Sequence, residues 1–214
     1  MGKRIAIYVI GLMITSFGIA LIISSGVGAG PWDTVAVGLN MHLGLTIGLW
    51  SIIAQGLVVF VTWAIERKRI QFEAVVAIII RSIFLDLWIY VVLRNIDFAA
   101  FWWGMSWLTL FLGILCVGIG IGIYIESRLP RTPLDGLMIA LHNRFGWSLN
   151  ISRMSIESSG AVIGFLLGGP VGLGTVVIAA SLGRVVQLSN LWFKKIVTFY
   201  QERQQIRVEQ VKEM

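Results

Sequence analysis

Residues 28–40 read GAGPWDTVAVGLN and residues 130–142 read PRTPLDGLMIALH. In each, a proline is followed two positions later by an aspartate, and an apolar stretch then runs on to a glycine, Gly44 in one case and Gly146 in the other. Each reads as a short helix. Pro31 and Pro133 suit the first helical position, Asp33 and Asp135 the positive end of the helix dipole, and Gly44 and Gly146 the C′ position. Thr46 and Ser148 are placed to cap whatever follows.

The two stretches belong to a longer repeat. At a separation of 102 residues, without gaps, Gly11 matches Gly113, Gly18 matches Gly120, Ile19 matches Ile121, Ile23 matches Ile125, Ser25 matches Ser127 and Leu39 matches Leu141. An apolar composition supplies matching Ile and Leu by itself; it does not align Gly, Pro and Asp. The repeat also bears on the N-terminus. Lys3 and Arg4, an apolar run and SSGVGAG would fit a cleaved signal peptide, but that segment is half of the repeat and is expected to be retained.

Composition sets the solvent. Of 214 residues, 57% are hydrophobic and 13% charged, against about 25% charged in soluble domains, and the mean hydropathy is +0.86. Six apolar runs, near 5–25, 45–65, 72–93, 104–125, 148–168 and 172–193, each approach the ~20 residues that cross a hydrocarbon core. A net charge of +6 would also suit a nucleic-acid partner, but its distribution points to the membrane. Lys3 and Arg4, Glu66 to Arg69, Arg128 with Arg131 and Arg144, and Lys194 with Lys195 flank alternate connections; residues 26–44, 94–103 and 168–174 hold only Arg94. Basic loops mark the cytoplasm, so both termini are expected there, in a cell inner (plasma) membrane.

Three runs per repeat is an odd number, which turns the second copy upside down. The expected fold is an all-α membrane protein of six transmembrane helices, built as two inverted-topology repeats of three, each with a short interfacial or re-entrant helix. The repeats cover residues 1–103 and 104–195, followed by a cytoplasmic C-terminal tail at 196–214. Because residues 45–65 already make a full crossing, the interfacial placement of the short helices is favoured.

GVGAGPWDTVAVGLN, the Gly-rich turn at Gly44 to Gly48, and VGLGT at Val171 to Thr175 resemble the YitT/YczE family of bacterial integral membrane proteins. The resemblance covers most of residues 5–195 and departs from the family where Gly183 is followed by Arg184 in place of a Gly-Pro pair. It implies a small plasma-membrane protein and supplies neither substrate nor catalytic residues.

Function therefore rests on polar groups inside the apolar runs, where a charge is expensive and a functional candidate. Gln55 and Glu157 are repeat partners; Arg81 and Arg184 become partners with one inserted residue. As midplane residues related by an axis in the membrane plane, the four are expected to line one substrate site. The arginines would bind an anionic group, and Glu157 a coupling proton. Asp33 and Asp135 are gating or helix-capping candidates. A purely structural reading stands beside this one: Arg153 and Glu157, four apart, can pair on one helix face, and Asp86 can bridge to an arginine. The glycines of GIGIG (118–122) and Gly160, Gly164 and Gly168 read as packing surfaces, since no strand-turn-helix context supports nucleotide binding.

The expected function is a small secondary transporter of an anionic or zwitterionic solute, working by alternating access as inverted repeats allow. The alternative is a non-transporting accessory or substrate-binding subunit of a larger complex. An enzyme is not expected: His42 and His142 fall on opposite sides of the bilayer and Cys116 is alone, so no metal, cofactor or catalytic set is assigned. Partners are the lipid bilayer and a small-molecule solute, not nucleic acid; a homodimer or a partner membrane protein stays open. Trp32, Trp102, Trp103, Trp147 and Trp192 are read as interfacial belts.

Overall fold

A computed structural model describes residues 2–67, 72–96, 98, 102–127, 129 and 132–212, with the backbone alone at 3, 72, 73, 126 and 194–212. Lys68, Arg69, Arg128 and Arg131 of the expected basic loops lie outside the described residues. The described chain is helical throughout: α1 (Gly2–Ser24), α2 (Pro31–Leu43), α3 (Ile47–Glu66), α4 (Phe72–Leu87, continued by a π-helical turn at Trp88–Val92), α5 (Trp103–Glu126), α6 (Pro133–Phe145), α7 (Leu149–Leu166) and α8 (Leu173–Lys212). It is an all-α membrane protein.

Among the described residues, five helices are long and apolar enough to cross a bilayer, over Arg4–Ser24, Ile47–Glu66, Ala74–Val92, Trp103–Ile125 and Leu173–Phe193. The remaining expected crossing, α7, is 18 residues long, but Asn150, Arg153, Glu157 and four serines dilute its apolar character. α8 runs on past the apolar segment into the polar tail as one helix.

The local devices recur 102 residues apart. α2 and α6 are both 13 residues long with proline in the first turn, and their closing glycines, Gly44 and Gly146, both sit at φ 70°, a conformation that costs a residue with a Cβ. Thr46 Oγ1 accepts from the Leu49 amide at 3.1 Å and Ser148 Oγ from the Ile151 amide at 3.2 Å, each capping the next helix. Ser25 Oγ donates to the Ile22 carbonyl at 2.7 Å and Ser127 Oγ to the Tyr124 carbonyl at 2.6 Å. These hydroxyls then accept from the amides of Val27 and Leu129. Both serines thus turn the chain from a long helix toward a short one.

At the centre α1 crosses α5 at backbone contact. A Cβ on Gly11 would lie 2.8 Å from the Gly120 carbonyl, and one on Gly18 would lie 2.6 Å from the Gly113 carbonyl. Small residues are what permit such an approach. α4 is held on α1 by Ser16 Oγ, 2.7 Å from the Arg81 carbonyl, and around this junction Ile19, Ile22, Leu85, Leu110, Ile114 and Val117 form the main apolar core.

The short helices pack along longer ones. Trp32 packs at Gly160 and Thr34 at Gly164, while a Cβ on Gly38 would meet the Leu167 carbonyl at 2.8 Å. α2 therefore runs alongside α7 in the same direction, its first turn against the body of the helix. Gly160 and Gly164 open a groove into which α2 sinks, a packing partner that the length of α3 alone does not reveal. α6 leans on α3 in the same manner, with Leu137 packed against Val58 and Ile156.

Candidate functional site

The first turns of α2 and α6 share one apolar cluster, because Trp32 and Leu134 both pack around Ile156, Val58 and Leu137. The Trp32 indole Nε1 donates to the Ile156 carbonyl at 3.1 Å. Trp32, read from the sequence as an interfacial aromatic, is a half-buried anchor that draws the start of α2 against α7. Two helix N-termini, each carrying partial positive charge, are thereby brought to one region.

The charged residues gather there. Arg153 Nη1 lies 3.3 Å from Asp135 Oδ1, and its Nε lies 3.1 Å from Glu157 Oε1. One guanidinium thus ties the first turn of α6 to the middle of α7. Asp135 also accepts from Thr132 Oγ1 at 3.0 Å. Asp33 lies within electrostatic reach of both Arg81 and Glu157, and the buried Tyr124 lies within reach of Arg81, Asp135 and Arg153. Arg81 itself donates through Nη2 to Ser51 Oγ at 3.3 Å, while its Nε is buried without a hydrogen-bond partner. Gln55, 3% exposed, is one turn beyond Ser51 on the same face of α3. Beneath Ile156, the Ser152 hydroxyl is fully buried and unpartnered.

The cluster therefore sets three carboxylates, Asp33, Asp135 and Glu157, against two guanidiniums, Arg81 and Arg153. Asp86 is engaged elsewhere: its Oδ1 accepts from the Gly48 amide at 2.7 Å, at the N-terminus of α3. Beside it the Tyr90 hydroxyl accepts from the Ile47 amide at 3.2 Å. Such an arrangement can bind a small solute through both signs of charge, with Arg81 offering an unused donor to a carboxylate or phosphate. Among the described residues no group of three His, Cys, Asp or Glu could hold a metal ion.

Of the residues expected to line a site, Arg81, Gln55 and Glu157 lie in or beside this region, with Asp33 and Asp135 at its two helix starts. Arg184 does not join them. It is exposed on α8, which packs on α5 through Val185 at Gly118 and Ser189 at Gly122. Sequence reasoning foresaw the Arg153 to Glu157 pair and missed that Asp135 closes it into a triad. The pairing of Asp135 with Arg153 depends on how α6 folds back on α7, which spacing does not encode.

Residues 2–191 match the model of a family of unknown function, DUF6198. An uncharacterized protein of Haemophilus influenzae is 35% identical over 185 residues, covering 86% of this chain and 82% of the relative. The uncharacterized membrane protein YczE of Bacillus subtilis is 29% identical over 187 residues, covering 87% of this chain and 85% of its own. YyaS, an uncharacterized protein of the same organism, is 29% identical over 182 residues, with coverages of 85% and 89%. No solved structure matches the chain significantly.

Proposed function

Because the chain belongs to the DUF6198 family and is related to the membrane protein YczE, an assignment that carries no activity with it, we propose from the site itself that the protein is a small secondary transporter, a carrier and not an enzyme. The observation that carries this reading is the meeting of two short helix starts with Arg81, Asp33 and the Asp135, Arg153, Glu157 triad. In membrane carriers, discontinuous or short helices whose N-termini face a central site are the usual way to bind charged groups away from water.

The repeated caps, turns and glycine crossings support two inverted repeats of three crossings. The second repeat includes α7, which contributes Arg153 and Glu157 to the site. The cross-matching of Gly11 with Gly120 and of Gly18 with Gly113 is what a two-fold relation between the halves would produce. A repeat pair of this kind exchanges conformations to open a site alternately to each side. The basic connections support an inner (plasma) membrane protein with cytoplasmic termini, and the solute is a small anion or zwitterion that places its acidic group on Arg81.

The test is substrate-dependent thermal stabilisation and uptake into proteoliposomes across small anions, amino acids and peptides. Arg81→Ala and Glu157→Gln are expected to abolish both while leaving expression largely unchanged. If both variants fail to accumulate, the charges are structural and the proposal is wrong. The uncovered length of α8 favours a second reading, an accessory subunit, which a stoichiometric partner recovered from membranes with no solute response would support.

A further inference from the structure

Arg184 lies near the middle of the apolar segment Leu173–Phe193, is exposed, and has no ion-pair partner among the described residues. An unpaired guanidinium facing hydrocarbon is costly and calls for a counter-charge. The central site has the complementary imbalance, three carboxylates against two guanidiniums. The two are connected by a short path.

α7 and α8 are consecutive helices joined by residues 167–172, a GGPVG-containing connection in which Gly168 has φ 68°. Glu157 precedes the end of α7 by nine residues, and Arg184 follows the start of α8 by eleven. At 1.5 Å rise per residue they lie roughly 14 and 17 Å from the same connection, within one helical turn of each other in depth. Yet α8 packs on α5 and makes no more than marginal contact with α7.

The first half holds the same parts closed. There α4 packs on α3 as well as on α1, and Arg81, the counterpart of Arg184, bonds to Ser51, which stands 102 residues before Arg153. The two halves thus show one joint in two arrangements, packed between α3 and α4 and unpacked between α7 and α8.

We propose that α8 closes onto α7 in a second arrangement of the chain, in which Arg184 pairs with Glu157 and supplies the positive charge the central site lacks. In the open arrangement that place falls to the solute. The inference rests on the transporter reading for its consequence: an occupant that displaces Arg184 from Glu157 brings its own positive charge, which favours an ammonium-bearing zwitterion over a simple anion. The Trp32 ring, which bonds to the carbonyl of Ile156, the residue before Glu157, and packs at Gly160, suits such a group.

Cysteines at Ala161 and Ala180, one turn from Glu157 and Arg184 toward the shared connection, report closure when Cys116 is replaced by alanine. In native membranes, oxidation is expected to form the link within one chain, roughly tenfold more slowly once Arg184→Gln or Glu157→Gln is added. The charge exchange Glu157→Arg with Arg184→Glu is expected to restore the rate, separating pairing from misfolding. A rate indifferent to Arg184→Gln overturns the proposal, and so does a link that forms only between two chains, which would make a second copy the cover of α8. Charge-dependent linking in a protein that moves no solute would leave the closure standing and remove the transporter reading alone.

Discussion

Gly18 and Gly113 sit where two backbones meet, and nothing there can give way. A Cβ on Gly18 would approach the Gly113 carbonyl at 2.6 Å and the Val117 amide at the same distance. Overpacking of a filled interior costs about 1–3 kcal/mol even where side chains can move, so Gly18→Val is expected to lower the melting temperature in detergent markedly or to prevent accumulation. Gly56→Ala is the control, because nothing lies within 4 Å of its added carbon and alanine favours helix by up to ~1 kcal/mol. Asp86→Asn tests a different kind of residue. It keeps the shape but weakens the charge-assisted bond to the Gly48 amide, and a loss of about 1 kcal/mol in a denaturation series is expected. At this scale the sequence was informative about which residues matter and silent about why. The repeat singled out the glycines, whereas Trp32 looked like any interfacial aromatic until its indole was seen on the Ile156 carbonyl.

At the scale of elements, the groove on α7 decides where α2 goes. Thr34 occupies the space beside Gly164 and Trp32 the space beside Gly160, so small residues at this spacing are a seat for the helix that carries Asp33. Gly164→Leu is expected to unseat α2, lowering thermal stability and abolishing any solute-induced shift. An unchanged shift would mean that Asp33 takes no part in binding. Removing a cap acts more gently: Thr46→Ala leaves the Leu49 amide without its acceptor and is expected to cost about 1 kcal/mol, readable as a lower melting temperature with the solute response intact. Both short helices were legible from proline, aspartate and glycine spacing, down to their ends. Their packing partners were not, since an apolar dozen with caps does not say which longer helix it leans on. The glycine spacing on α7 was read correctly as packing, but its partner lies more than 120 residues away in sequence.

For the whole molecule, the number of crossings fixes what the site is for. Five helices among the described residues qualify by length and composition, and a chain with five crossings would place its termini on opposite sides, leaving Lys194 and Lys195 across the membrane from Lys3 and Arg4. Six crossings would place both basic ends on one side, the arrangement the positive-inside tendency favours. In the six-span arrangement proposed above the sixth crossing is α7, about 27 Å long at 1.5 Å per residue. Its charges are paired, since Arg153, itself 47% exposed, is bonded to Asp135 and Glu157, while Ser152, Ile156, Gly160 and Gly164 form its buried face. A helix of this polarity is stable in a membrane only where neighbours or water satisfy it, so its crossing and the existence of a polar central site stand or fall together. Reporter fusions separate the cases: a fluorescent protein after Met214 is expected to fluoresce, and a periplasm-dependent phosphatase joined after Asn95 is expected to be active. If the C-terminal fusion instead reports the outer side, α7 does not cross, the two halves are not inverted copies, and alternation of one site between two faces loses its structural basis.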